Sequence, residues 1–361
     1  MEQSLMTILQ PGTGPVDGQY IPATVGNVSW GWVLPAGAAP VARAASGDML
    51  TIDTISHEGV LGDQGRDPVR FFGGYGVQAD MVLADAVELA NAPTRHDQRV
   101  DGPHVITGPI AIDDAEPGDL LTVEVVRLRP RVPYGVISNR HGRGALPGEM
   151  PAMTADGTIP QVVSRFASID PDGDSATVHA PGGGGLQVPL RLFMGLVAVA
   201  PAGQAAHSVP PGPHGGNLDV RPLGVGSRLH LPVRAAGALL QLGDPHFAQG
   251  DGEVALTALE GSLRAVIRVV LSKGGSPSWD LPYGETEDAW VLLGLHEDLN
   301  EAVRIATRAA LDLVTAQTGL DRATAYAWLS AAADLSVSQV VDGVKGVHFT
   351  VPKGPLQAAR A

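Results

Sequence analysis

The sequence predicts a mainly β protein whose only convincing helices come late. Three observations carry this. Among 361 residues there are 46 Gly and 29 Pro with only 17% charged side chains, a turn-rich composition suited to strands joined by tight connections. Short runs of β-branched and apolar residues bounded by Gly and Pro recur through the first three quarters of the chain. Sustained helical spacing starts only near residue 298. A 44% hydrophobic content can bury a sizeable core and excludes a disordered chain. The length asks for two or three subdomains. The expected division is a β-rich part over 1–210, a β segment over 211–290 that carries the polar site, and a small α+β unit over 291–361.

Taken in order, residues 1–45 read as strands and loops. Residues 47–53 (GDMLTID) have an echo in 118–124 (GDLLTVE), either two similarly placed strands or a common way to start one. His57 and His104 lie on loops, His57 directly after the first of these strands. Residues 130–160, rich in Gly, Pro and Met, form a long segment with Arg140, His141 and Arg143 together, the profile of a lid or a disordered loop. The run 181–185 (PGGGG) is a turn, since no helix start with Lys and Ser/Thr follows it. Residues 210–216 make a Pro/Gly linker at a plausible seam. Residues 262–271 alternate as a strand with Arg264 and Arg268 partly exposed, and 273–278 (KGGSPS) read as a turn. Asp298 or Asn300 caps a helix with Val303, Ala306, Ala310 and Leu313 on one face. Gly319 closes it, and Asp321 starts a second helix through Trp328 and Ala333 with Tyr326 and Trp328 in the core. Residues 340–351 return to a β pattern.

The formal charge of −14, from 38 acidic and 24 basic side chains, repels nucleic acid and anionic membrane but not a small neutral substrate. The chain has no cysteine, which excludes disulfides, a thiolate nucleophile and thiolate metal sites. Residues Met1 to Ser4 show no secretory pattern and the longest apolar stretch, near 190–201, is too short to span a membrane. A cytoplasmic location is expected.

The chemistry concentrates in residues 214–260. Three acceptor pairs at i, i+2 lie there: Asn217 and Asp219, Asp244 and His246, Asp251 and Glu253. On extended backbone both members of a pair face one side. Zinc needs three His, Asp or Glu ligands and one open position, and Asp244-x-His246 supplies two; Asp53, His57 and His104 are candidates for a third. Calcium would instead take many oxygens, and 249–253 (QGDGE) has that look. Hairpin turns explain the same Gly-Asp and Asp-Gly dipeptides without any ligand.

The ordered string GGNxD, LxLPV, GAL, GDxHxAQGDGE and TAxE resembles the acetamidase/formamidase family of amide hydrolases. It is carried by Gly215, Gly216, Asn217, Asp219, Leu229, Leu231, Pro232, Val233, Gly237, Ala238, Leu239, Gly243, Asp244, His246, Ala248, Gln249, Gly250, Asp251, Gly252, Glu253, Thr257, Ala258 and Glu260. Thinner likeness extends to 108–119, 195–201 and 325–353. Departures at 240–242 and 255–256 bear on substrate size more than on reaction type. The resemblance implies a sandwich-like part, a barrel-like part and a small α+β unit, a homo-oligomer, and cleavage of the C–N bond of a small neutral amide by metal-activated water. Zinc is the expected metal, with calcium as a second or structural ion. Asp244 and His246 would bind metal, with Asp219, Asp53 or His57 completing the shell. Glu253 or Asp251 would be the general base, His246 would stand beside them at the reacting centre, and Asn217, Gln249 and His104 would hold the substrate. The absence of cysteine also excludes the unrelated amide hydrolases that use Cys, Glu and Lys. Two alternatives remain at this point. A γ-lactam could be the substrate, with Leu240 and Leu242 as an apolar wall, or the module could be non-catalytic, with Asp244, Asp251 and Glu253 around a structural calcium.

Overall fold

Runs of apolar and β-branched residues produce strands, several of them buried along their whole length, and a computed structural model describes residues 7–94, 96–276 and 280–358. The segment Met1 to Ser4, and Pro277 and Ser278 of the expected turn, lie outside the described residues. The main strands are β1 (Met49–Asp53), β2 (Val105–Ile112), β3 (Leu120–Pro130), β4 (Tyr134–Arg140), β5 (Phe193–Ala198), β6 (Gly215–Asn217), β7 (Arg228–Pro232), β8 (Leu240–Ala248), β9 (Leu259–Glu260), β10 (Leu263–Ser272), β11 (Ala289–His296), β12 (Asp334–Gln339) and β13 (Lys345–Pro352). Two helices follow β11: α1 (Leu299–Thr318) and α2 (Arg322–Ala332).

The strands form two large sheets. The first has nine strands and includes β1, β10, β3 and β7 in that order, then β11, β13 and β12 toward its far edge. The second has eleven, with β4, β9, β8, β5 and β6 adjacent in sequence of pairing and β2 also bound to β8. Neither path closes on itself among the described residues, so the fold is mostly β with open sheets rather than a closed barrel. The two echoed stretches are similarly placed strands: β1 and β3 lie antiparallel on either side of β10. Each begins with the same turn, in which an aspartate accepts a backbone N–H three residues back, Ala45 to Asp48 and Glu116 to Asp119, both at 2.8 Å.

The inner faces of the sheets meet through Leu50, Ile52, Leu121, Val123, Leu231, Leu242 and Ile267, all buried. Removing this apolar area from water is the main stabilising term. A second core lies under α1, where Ala302, Ala306, Ala310 and Val314 rest on Leu292, Val347 and Val351. The small side chains let the helix approach closely. A Cβ on Gly294 would strike the Ala302 carbonyl and stand 2.8 Å from the Ala306 nitrogen. Asp298 caps α1 by accepting from Asn300 and Glu301 N–H, and Gly319 ends it with φ of 71°, as its sequence demands. In α2 the buried residues are Ala325 and Leu329; Tyr326, expected inside, is 58% exposed, and Trp328 is half-buried. No described helix is long and apolar enough to cross a membrane.

Two arginines lie in the interior. Arg264, expected to be partly exposed, is buried because it faces Asp53 across the β1–β10 ladder, with contacts of 2.6 and 2.9 Å to its carboxylate. Arg131, fully buried, meets Asp85 at 2.8 Å and Asp53 at 3.5 Å and donates to the Thr54 carbonyl. This network anchors the end of β1 where the chain turns toward His57. Replacing Arg131 with Met strands Asp85 as an unpaired buried charge, and should cost about 3–5 kcal/mol. Urea denaturation reads it; a cost below about 1 kcal/mol would place the network at the energetic level of a surface pair.

Candidate metal and catalytic site

The strands of the second sheet bring the chemistry together. On β8, Asp244 and His246 are two residues apart, and His246 Nε2 stands 2.9 Å from Asp244 Oδ2. Glu260 on β9 sits opposite His246 in the ladder and approaches the same nitrogen at 3.2 Å. Asn217 ends β6, opposite Leu196 of β5, and its Nδ2 donates to Asp219 at 2.7 Å and Asp342 at 3.1 Å. From the other sheet's side, His57 follows β1 and places Nδ1 3.5 Å from Asp244 Oδ1. His104 precedes β2 with Nε2 3.7 Å from the same oxygen. Potential ligand atoms of His57, His104 and Asp244, of Asp244, His246 and Glu260, and of Asp219, His246 and Glu253 lie within 4.8 Å of one another in each group.

The imidazoles are oriented from behind. His104 Nδ1 faces the Ser208 carbonyl at 3.2 Å and its hydroxyl at 2.9 Å. A carbonyl only accepts, so the proton belongs on Nδ1 and the Nε2 lone pair faces Asp244. His246 Nδ1 lies 3.0 Å from Gln249 Oε1. The Gln249 amide nitrogen donates to the Asp219 and Ser338 carbonyls, which fixes Oε1 as the acceptor and leaves His246 Nε2 toward two carboxylates.

Lone pairs and carboxylates facing each other repel unless a proton or a cation lies between them. His57 Nδ1, His246 Nε2, Asp219 Oδ1, Asp244 Oδ1, Glu260 Oε2 and Asn217 Oδ1 are all buried without a hydrogen-bond partner. Native interiors seldom tolerate such atoms. The backbone also holds no Cβ here: one on Gly195 would stand 2.5 Å from Asp219 Oδ1, 2.6 Å from Asp244 Oδ2 and 2.8 Å from His246 Cε1. Residues of this type, so aimed, fit a divalent metal ion.

Electrostatics agree. Burial drives Asp219 and Glu253 well above the ordinary carboxylate range, and neighbouring carboxylates add to it. Burial likewise pushes Asp342 up to about 7 and raises Glu260. Burial lowers His57, but Asp244 and Glu58 outweigh it and lift the ring to about 10. His104 is held down to about 4 by burial, with Asp244 opposing. Against its burial, Asp244 is drawn well below its usual value by the surrounding imidazoles. Three of the acids adopt left-handed backbone, Asp219 at φ 51°, Asp244 at 52° and Glu253 at 46°. Strain of this kind persists where surrounding structure dictates it, as at functional sites.

A cavity of about 150 Å³ opens onto the cluster, lined by His57, His104, Asn217, Asp244, Glu253, Glu260 and Asp342 on its floor and by Arg140, Arg143 and His207 among its outer residues. It is well below the roughly 300–1,000 Å³ of most small-molecule clefts. The segment 130–160 reaches it partly as a strand, β4, with Arg140 and Arg143 among the lining residues while His141 is not.

The structure thus gathers Asn217, Asp219, Asp244, His246, Glu253, His57 and His104. Two expected residues lie elsewhere, and a third stands behind a site imidazole. Asp53 is occupied by Arg264 and Tyr20, Asp251 points outward to pair with Arg221 at 2.9 Å, and Gln249 is spent on orienting His246. The turn at Gly252, φ 100°, breaks the extended geometry that would have put Asp251 beside Glu253. Leu240 and Leu242 pack between the sheets and do not line the cavity. Sequence reasoning passed over Glu58, Glu260 and Asp342 as site residues. Glu260 ended the ordered string and Glu58 adjoined His57, but Asp342 carries no local signal.

Residues 194–353 match the model of the acetamidase/formamidase family. The chain is 28% identical over 217 residues to a formamidase of Methylophilus methylotrophus, covering 48% of this chain and 52% of that protein. It is 29% identical over 247 residues to an acetamidase of Mycolicibacterium smegmatis, covering 54% and 59%. The matched part therefore spans little more than half the length of these curated relatives. A crystal structure of an acetamidase from Bacillus halodurans is similar over 95% of this chain and 100% of that one, with a TM-score of 0.74 and 26% identity.

Two outcomes follow from the geometry. Gly195→Ala should leave the circular dichroism spectrum intact yet weaken divalent-ion binding about 10-fold or more, measured by elemental analysis after dialysis; full metal content would remove the cluster from consideration as a ligand set. His214, just before β6, is buried with Nε2 unpartnered, and burial with Arg234 nearby holds it down to about 4. Unfolded, it titrates near 6.5. The unfolded chain therefore takes up a proton that the folded chain refuses, so this contribution is complete above pH 6.5 and is lost as pH falls toward 4. His214→Phe should remove roughly 2–3 kcal/mol of the acid destabilisation; parallel wild-type and variant urea midpoints from pH 7 to 4 would contradict it.

Proposed function

Because this chain carries an acetamidase/formamidase family domain over residues 194–353, we propose that it hydrolyses the C–N bond of small linear aliphatic amides to a carboxylate and ammonia. The observation that carries this reading is the small cavity floored by buried, unpartnered nitrogens and oxygens. His57, His104, Asp244, His246 and Glu260 would hold the metal, and their mixed nitrogen and oxygen donors suit zinc. The carboxylates of Asp219 and Asp342 would suit a harder ion such as calcium. A divalent ion supplies the electrophilic activation that an amide, a poor electrophile, requires.

The chain's own residues do the rest. Asn217 commits both hydrogens of Nδ2 to Asp219 and Asp342, so its free Oδ1 is an acceptor for the N–H of a primary amide. Glu253 lines the cavity and takes the proton from the attacking water, then delivers it to the departing nitrogen; a positioned carboxylate in this role contributes typically about 10²–10⁴-fold. Asn217, Asp244, Glu253 and Glu260 are all buried, and a site so shielded from water strengthens these interactions. The cavity's volume favours substrates of a few heavy atoms.

Ammonia release from formamide, acetamide, propionamide and a γ-lactam tests this, using protein as purified, after chelation and after metal is restored. Linear amides should be turned over, activity should vanish on chelation and one divalent ion should restore it. No release from any linear amide by metal-loaded protein would end the proposal.

A further inference from the structure

Directly behind His57 lies a carboxylate that the proposed reaction does not use. Glu58 is 2% exposed and is not among the residues lining the catalytic cavity. Its Oε2 accepts from Gln64 Nε2 and Ser138 Oγ. Its Oε1 faces two guanidinium nitrogens of Arg140, each at 3.4 Å, and lies at ion-pair distance, 3.3 Å, from His57 Nε2, which has no hydrogen-bond partner of its own. Ser138 Oγ is itself 2.8 Å from Ser164 Oγ, and Arg140 is steadied by Asp63 at 2.6 Å. So many donors on one buried carboxylate keep it ionised and immobile.

The other two imidazoles have neutral partners behind them, Ser208 for His104 and Gln249 for His246. His57 alone has a charged one. We infer that Glu58 is a positioning residue. It holds the proton of His57 on Nε2, turns the Nδ1 lone pair toward Asp244 and Glu260, and makes that nitrogen a stronger donor to a cation. A carboxylate behind a ligating histidine orients the ring and raises its basicity, and loss of such a partner weakens metal binding about 10–100-fold. Arg140 touches Glu58 and also lines the cavity, so the arrangement ties the cavity wall to a ligand.

The inference rests on the metal-site reading, and the test separates the two. Cobalt(II) is titrated into metal-free wild type, Glu58→Ala and Glu58→Gln, followed by its visible absorption. The zinc-loaded proteins are labelled with ¹⁵N-histidine to record which nitrogen of His57 keeps its proton. Glu58→Ala should weaken cobalt binding by about 10–100-fold and shift the His57 imidazole resonances. Glu58→Gln, which can still accept from Nε2 but carries no charge, should fall between it and wild type. If the alanine variant does not fold, the near-isosteric glutamine variant decides alone. Wild-type affinity in the variants with unchanged His57 resonances overturns the positioning role while leaving the metal site standing; a wild type that binds neither ion overturns both.

Discussion

Buried negative charge is the constraint from which the rest of this architecture follows. Glu58, Asp219, Asp244, Glu253, Glu260 and Asp342 are each 7% exposed or less and crowd around three imidazoles. Carboxylates withdrawn from water and left uncompensated would be prohibitively costly. Of these six acids Arg140 answers only Glu58, and the interior arginines 131 and 264 belong to the separate Asp53 and Asp85 network. What remains is a cradle whose charge a bound cation would balance. The unpartnered atoms and left-handed backbone at three of its acids are the structural cost of holding that cradle open.

The two sheets make such a cradle possible because each contributes rigid elements. Strand β8, flanked by β5, β9 and β2, fixes Asp244 and His246 with the precision of a hydrogen-bonded ladder. The turn after β1 delivers His57 from the opposite sheet, pinned by Arg131 to Thr54 and by Ser262 to Ser56. At the far side the β12–β13 connection brings Asp342, held by Gln339, onto Asn217, while Ser338 accepts from Gln249. These C-terminal strands, which extend the nine-stranded sheet, are therefore part of the site's wall. The α1 helix keeps β11 and β13 in place beneath it.

Much of the local structure was legible in the sequence. The caps of α1 and α2, the Gly319 stop, the strands around residue 120 and the clustering of polar groups at 217–260 all rest on short-range chemistry: an aspartate that accepts a nearby N–H, a glycine that tolerates positive φ, an alternation that matches the pleat. The i, i+2 pairs behaved unequally for the same reason. Asp244 and His246 stayed on one strand and converged. Asp251 and Glu253 were separated by the turn at Gly252. Tyr326 and Arg264 were misplaced because helical or strand spacing says which residues share a face, but not which face a neighbouring element covers.

Sequence by itself determined the class of fold, the segment where chemistry gathers and the absence of any thiol route, since these depend on composition and on contacts a few residues apart. Tertiary structure alone decided which groups meet at the cluster. His57, His104, Asp244, Glu260 and Asp342 come from positions up to 285 residues apart, and no local pattern records their approach. It also decided which acids were spent elsewhere: Asp53 faces a buried arginine across a ladder and Asp251 faces solvent. A carboxylate's role is set by the charges that surround it after folding, and those neighbours are chosen by the pairing of the sheets.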